Sequence, residues 1–174
     1  MRGHQAHLDF DSALENFPVE LAGERPAGAP HSAWQLLEHM RITQSDILEF
    51  SRDSTHDSPD WPEGYWPKTA APPTAKAWQE SADKFRQDYS ALTKLVLDLQ
   101  NNLPEPFEHG DGQDLLREAL LVVAHNSYHL GQLVFLRKML DFEARSRKDD
   151  QYKISGIERV KRQSLLDMIT DKNE

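Results

Sequence analysis

The sequence contains no cysteine, which excludes disulfides, thiolate zinc sites, iron–sulfur clusters and a cysteine nucleophile. Any metal must therefore be held by His, Asp or Glu. No apolar run approaches the roughly 18 to 20 residues that a membrane span requires, and the N-terminal MRGHQAHLDF has no signal-peptide apolar region. The expectation is a cytoplasmic protein with no membrane partner. Positive charge is also scarce: 20 Lys and Arg face 29 Asp and Glu, for a formal charge of −9. Nucleic-acid affinity comes from Lys and Arg neutralising phosphates, so the sign argues against DNA or RNA as partner. Residues 143–174 carry eight Lys or Arg against seven Asp or Glu, so the acidic excess lies wholly in the first 142 residues.

What is present fits one core. At 174 residues with 38% apolar and 28% charged content, the chain is long enough for a single folded domain and short for two. Residues 1–142 are read as that domain and 143–174 as a charged extension. Asp9–Phe17 places apolar residues at 10, 14 and 17, which predicts a first amphipathic helix stopped by Pro18, with a further turn at Val19–Leu21. The Gly- and Pro-dense AGERPAGAPH is a loop. Ser32 and Gln35 form a capping-box pair, and a second helix follows to about Arg52, burying Leu36, Leu37, Met40, Ile47 and Phe50. On the flank of its stripe stand His39, Thr43 and Asp46. A third helix capped by Thr74 repeats apolar residues from Trp78 through Leu99 to Leu103 at spacings of 4 and 3, before Pro104 and Pro106. A fourth, capped by Asp111 or Asp114, covers Leu115–Leu140 with Leu115, Val122, Leu133, Leu136 and Leu140 inward. The short link makes helices three and four antiparallel neighbours. Beyond Phe142, Ile157, Val160, Leu165, Met168 and Ile169 predict a possible short C-terminal helix, weakened by Gly156. The fold class is thus all-α, a four-helix bundle.

The link between helices two and three, DSTHDSPDWPEGYWPKTAAPP, holds five prolines together with Trp61, Tyr65 and Trp66. Such long connections in compact domains are commonly functional or disordered. Three large aromatics favour an ordered loop packed over one end of the helices, a candidate rim for a ligand pocket.

The fourth helix carries the chemistry. His125 and His129 are four residues apart on its apolar stripe, so both imidazoles face inward and can chelate one ion. Two known alternatives are excluded by residue content. Di-iron bundles need Glu-x-x-His on two helices, and no Glu stands three residues before any His; H-E-x-x-H is absent because Asn126 follows His125. A catalytic zinc usually has three protein ligands, and His39 is the best third, the other histidines lying in termini, loops or at a cap. Glu118, Gln132, Thr43 and Asp46 are positioned to orient the rings by accepting their other N–H. The blander readings are hydrogen-bonded core histidines and, for Glu118, an ion pair with Arg or Lys.

LLEHM at 36–40, set in the stretch APHSAWQLLEHMRITQSDILEFSRD with WPEGYWP after it, and AHNSYHLGQLVFLRKML at 124–140 resemble the DinB-like family, also called the DinB/YfiT superfamily. The resemblance covers about Asp9 to Phe142 and is specific at the two His motifs. It implies a four-helix bundle with a three-histidine site, here His39, His125 and His129, with Gly131 and Gln132 as the Gly-Gln that follows. It further implies zinc, nickel or a similar divalent ion, and often a homodimer. Relatives include transferases and isomerases dependent on a low-molecular-weight thiol, such as bacillithiol S-transferases and mycothiol-dependent maleylpyruvate isomerase; most members have no established reaction. The extension beyond Phe142 departs from the family pattern. Three functions follow as expectations: a thiol-dependent transferase or hydrolase with an open metal position, a non-catalytic stress-response or binding module with a structural or regulatory metal, or a plain helical interaction protein.

Overall fold

Helix caps and apolar spacing decide where the elements begin. The computed structural model describes the backbone of residues 6–170 and the side chains of residues 6–143. Asp9 accepts the Ser12 N–H at 2.7 Å and starts a short helix α1, Phe10–Leu14. A 3₁₀ turn follows at Val19–Leu21. Helix α2, Ala33–Arg52, opens with the expected capping box: Ser32 accepts the Gln35 N–H while the Gln35 side chain accepts that of Ser32. Helix α3, Ala75–Leu97, is capped by Thr74. Helix α4, Leu115–Thr170, begins where Asp114, rather than Asp111, accepts the Arg117 N–H at 2.7 Å. The described residues are helical apart from loops and a single isolated bridge, Pro106 with Asp114.

The core joins α2, α3 and α4. Ile47 and Leu48 meet Leu92, Leu115 and Val122, with Leu95, Val96, Leu103 and Phe107 packed around them. Closer to α1, Phe10 stacks on Phe85 with ring centroids 4.0 Å apart, and Phe17 on Trp78 at 4.9 Å. Each fully buried Leu or Phe contributes about 1.5–3 kcal/mol.

Three expectations need adjustment. The α3 seam does not continue through Leu99, which is fully exposed, because the helix stops at Leu97. Asp98 caps it and turns to accept the Gln100 N–H, while the Asn101 amide donates to the Leu95 carbonyl; these local bonds compete with further helix. Phe50 is only half-buried, its ring edge-on to Phe107 5.7 Å away. The extension is helical to Thr170 as a continuation of α4, without a separate short helix. No Pro interrupts 143–170, and one interior Gly costs about 1 kcal/mol, too little to break a long helix. The side chains of Ile157, Val160, Leu165, Met168 and Ile169, with residues 171–174 and His4, lie outside the described residues. By contact the chain divides between Arg137 and Lys138, within α4.

One further difference concerns α4. Leu115–Glu143 is long and apolar enough by composition to cross a membrane, with a mean hydropathy of 1.2 in its best window. No continuous run produces this; inward Val122 and Leu133 add to outward Leu120, Val123 and Phe135, which are 62%, 53% and 65% exposed.

Candidate metal centre

Helices α2 and α4 bring together three imidazoles from two distant stretches of sequence. His39 is buried on α2, His129 is buried on α4, and His125 is half-buried one turn earlier. Their potential ligand atoms all lie within 4.8 Å of one another. The Nε2 atoms of His39 and His125 are 3.1 Å apart. Two nitrogens bound at about 2.05 Å to one tetrahedral ion stand roughly 3.3 Å apart, so this spacing fits a shared cation.

Hydrogen bonds aim two of the rings. The Nδ1–H of His39 donates to the Tyr65 carbonyl at 2.9 Å, and that of His129 donates to Gln132 Oε1 at 2.9 Å. With Nδ1 carrying the proton, each neutral ring presents a lone pair at Nε2. Burial keeps the rings neutral. It pulls His125 down to about 4, helped by the neighbouring His129 and His39. His39 and His129 also sit below the ordinary imidazole value, again chiefly through burial. Neutral imidazole is the form that ligates a metal. The 3.1 Å contact would also serve as a hydrogen bond between His125 and His39, so what points to a metal is the third imidazole, His129, drawn into the same cluster.

The remaining candidates have separate duties. Gln132 touches the centre directly through His129. Asp46 touches no ligand ring: its Oδ2 accepts the Tyr65 hydroxyl and its Oδ1 contacts His56 Nε2, both at 2.7 Å. Glu118 is buried and pairs with Arg117, so the blander expectation describes its contacts; burial raises its carboxyl pKa against the opposing Arg117 charge. Thr43 Oγ1 is buried with no hydrogen-bond partner. In the loop, Trp66 lies flat on His39, ring centroids 3.9 Å apart and 1° from parallel. Tyr65 is buried, while Trp61 is 75% exposed, its ring 5.4 Å from that of Tyr65. A cavity of about 360 Å³ lined by Phe10, Met40, Phe85, Tyr89, Asn126 and Leu130 includes none of the three histidines.

The sequence matches the model of the DinB superfamily over residues 3–133. The chain belongs to the DinB superfamily. The matched span contains α2, the part of α4 that carries His125 and His129, and the loop that covers His39. No curated protein and no solved structure matches it.

Two contributors escaped the sequence reading. His31 stacks on the Trp66 ring with centroids 4.0 Å apart, and His56 engages Asp46. Both lie in loops, where no periodicity signals which way a side chain faces; only the aromatic density of the 53–73 stretch hinted at an ordered cover.

Proposed function

We propose that this DinB superfamily member is a divalent-metal-dependent enzyme of the thiol-dependent transferase or hydrolase type, with His39, His125 and His129 as ligands. The observation that carries this reading is the convergence of three neutral imidazoles, two with Nδ1–H already committed, and no carboxylate among them. Zinc or nickel suits an all-imidazole set. When bound, a divalent ion supplies Lewis acidity that lowers the pKa of a water or thiol at the position left by three protein ligands. The chain's own residues orient and shelter: Tyr65 and Gln132 fix two rings, and Trp66 shields one face of His39 from water.

Metal analysis of purified wild type against a His125→Ala/His129→Ala double variant tests the ligand set. Stoichiometric zinc or nickel in the wild type and its loss in the variant is expected; no retained metal in either sinks the reading. Cobalt(II) substitution then tests the chemistry. A sulfur-to-cobalt charge-transfer band on adding a small thiol supports thiol use.

A second reading, a metal with a structural or regulatory role in a stress-response module, is favoured by one observation. The nearby carboxylates of Asp46 and Glu118 are already engaged with Tyr65, His56 and Arg117. X-ray absorption at the metal separates the two: four protein ligands favour the structural role, and an exchangeable ligand favours the enzyme. A homodimer remains part of the proposal, supported by the outward apolar residues Leu120, Tyr128 and Phe135 on α4. Sedimentation equilibrium tests it.

A further inference from the structure

The loop between α2 and α3 reaches the metal centre by its main chain, and its side chains determine where that main chain sits. Tyr65 contributes two different groups. Its carbonyl accepts the His39 Nδ1–H at 2.9 Å, and its hydroxyl donates to Asp46 Oδ2 at 2.7 Å. Asp46 is seven residues after His39 on α2, so both ends of the tyrosine are pinned to one helix two turns apart. The other Asp46 oxygen holds His56 at 2.7 Å, fastening the start of the same loop. The anchor is well sheltered, with side-chain exposures of 12% for Asp46 and 20% for His56. Trp66, next in sequence, is thereby laid on the His39 ring.

We propose that Asp46 and Tyr65 form a positioning pair for the metal centre, in which the buried carboxylate–phenol hydrogen bond fixes the Tyr65 carbonyl and hence the tautomer and orientation of His39. The inference rests on the three-histidine metal reading but reaches beyond it, to residues that touch neither the ion nor its ligand nitrogens. An orienting partner of a metal-bound His typically changes affinity 10- to 100-fold when lost. Here the carbonyl stays and only its anchor is removed, so the lower end applies. Tyr65→Phe deletes the hydroxyl and retains the ring. Asp46→Asn retains an oxygen able to accept the phenol proton, whereas Asp46→Ala does not.

The test uses the full chain with cobalt(II) as probe, read by its visible d–d absorption, alongside imidazole ¹⁵N shifts of metal-free protein. Tyr65→Phe is expected to weaken cobalt(II) binding about tenfold, alter the d–d spectrum, and shift His39 from the Nδ1–H towards the Nε2–H tautomer. Asp46→Ala should act alike, Asp46→Asn should recover part of the loss, and the Tyr65→Phe/Asp46→Ala pair should be no worse than either single change. A loss of fold stability alone would not move the tautomer or the ligand field. Unchanged affinity, spectrum and tautomer in folded Tyr65→Phe overturns the proposal. Should wild type bind no cobalt(II), the three-histidine metal reading fails separately. The tautomer then decides the positioning role: a shift in Tyr65→Phe supports it and an unchanged one overturns it.

Discussion

Gln44 ties the three core helices together beside the metal centre, and its removal has a calculable cost. Its side chain is 1% exposed. The amide nitrogen donates to the Phe85 carbonyl at 2.7 Å, across to α3, and the amide oxygen accepts from Asn126 Nδ2 at 2.8 Å, across to α4. Asn126 follows His125, so this contact also holds the segment that carries a candidate ligand. In Gln44→Leu the volume is nearly kept and no large cavity forms. The dominant cost is the stranded Asn126 amide, whose own Oδ1 is already buried without a partner. Leaving one buried polar group unsatisfied costs about 1–3 kcal/mol. With about 2–4 °C of Tm per kcal/mol for a chain of this size, the melting temperature of metal-free protein should fall by roughly 2–12 °C. Removing both partners in Gln44→Leu/Asn126→Leu should cost less than the sum of the single changes, because nothing is then stranded. Urea unfolding followed by circular dichroism supplies the free energies, provided that the slopes agree. A Gln44→Leu protein within 0.5 kcal/mol of wild type, a threshold of about the usual surface-mutation scatter, would refute the reasoning. So would strict additivity of the pair.

Other outcomes follow from the site and its surroundings. Because burial holds His125 near 4 in the folded state, below the ordinary value of about 6.5, the unfolded chain binds more protons between those values. Metal-free stability should therefore be level above about pH 6.5 and decline as pH falls towards 4; urea midpoints at pH 7.5, 6 and 5 that stay level or rise would contradict this. Zinc at 100 times its Kd should stabilise wild type by about 2.7 kcal/mol, or roughly 5–11 °C, reversibly on chelation. The His125→Ala/His129→Ala variant should show no such shift by scanning calorimetry. Glu118→Gln removes a buried carboxylate that leans on the half-exposed Arg117, so stability at neutral pH should change by less than about 1 kcal/mol; a loss above about 3 kcal/mol, the range for breaking a well-paired buried charge, would show that the Arg117 pair matters more than its exposure implies.

Sequence alone carried the helices and their inward faces. The caps at Ser32, Thr74 and Asp114 and the stripes of Val122, Leu133 and Leu136 are local features, written in spacings of 3 and 4 and in side chains that bind their own backbone. The candidate ligands were legible for the same reason, since His125 and His129 share a helix face and His39 flanks another apolar stripe. Legibility ended where local bonds outbid periodicity, as at Asp98 and Asn101, and where function depended on contacts between segments far apart in the chain. The assignments of Thr43, Asp46 and Glu118 to the rings assumed that polar residues on the correct face meet the histidines. The fold instead gave Asp46 to Tyr65 and His56, gave Glu118 to Arg117, and left the Thr43 hydroxyl without a partner. Only tertiary structure could decide that His39 Nδ1–H meets a loop carbonyl and that Trp66 lies on its ring, because a loop has no repeat to set its direction. The sequence by itself determined three inward-facing imidazoles; the packing of α2 against α4 set their spacing, the covering loop set which nitrogen His39 would offer, and Gln132 set it for His129.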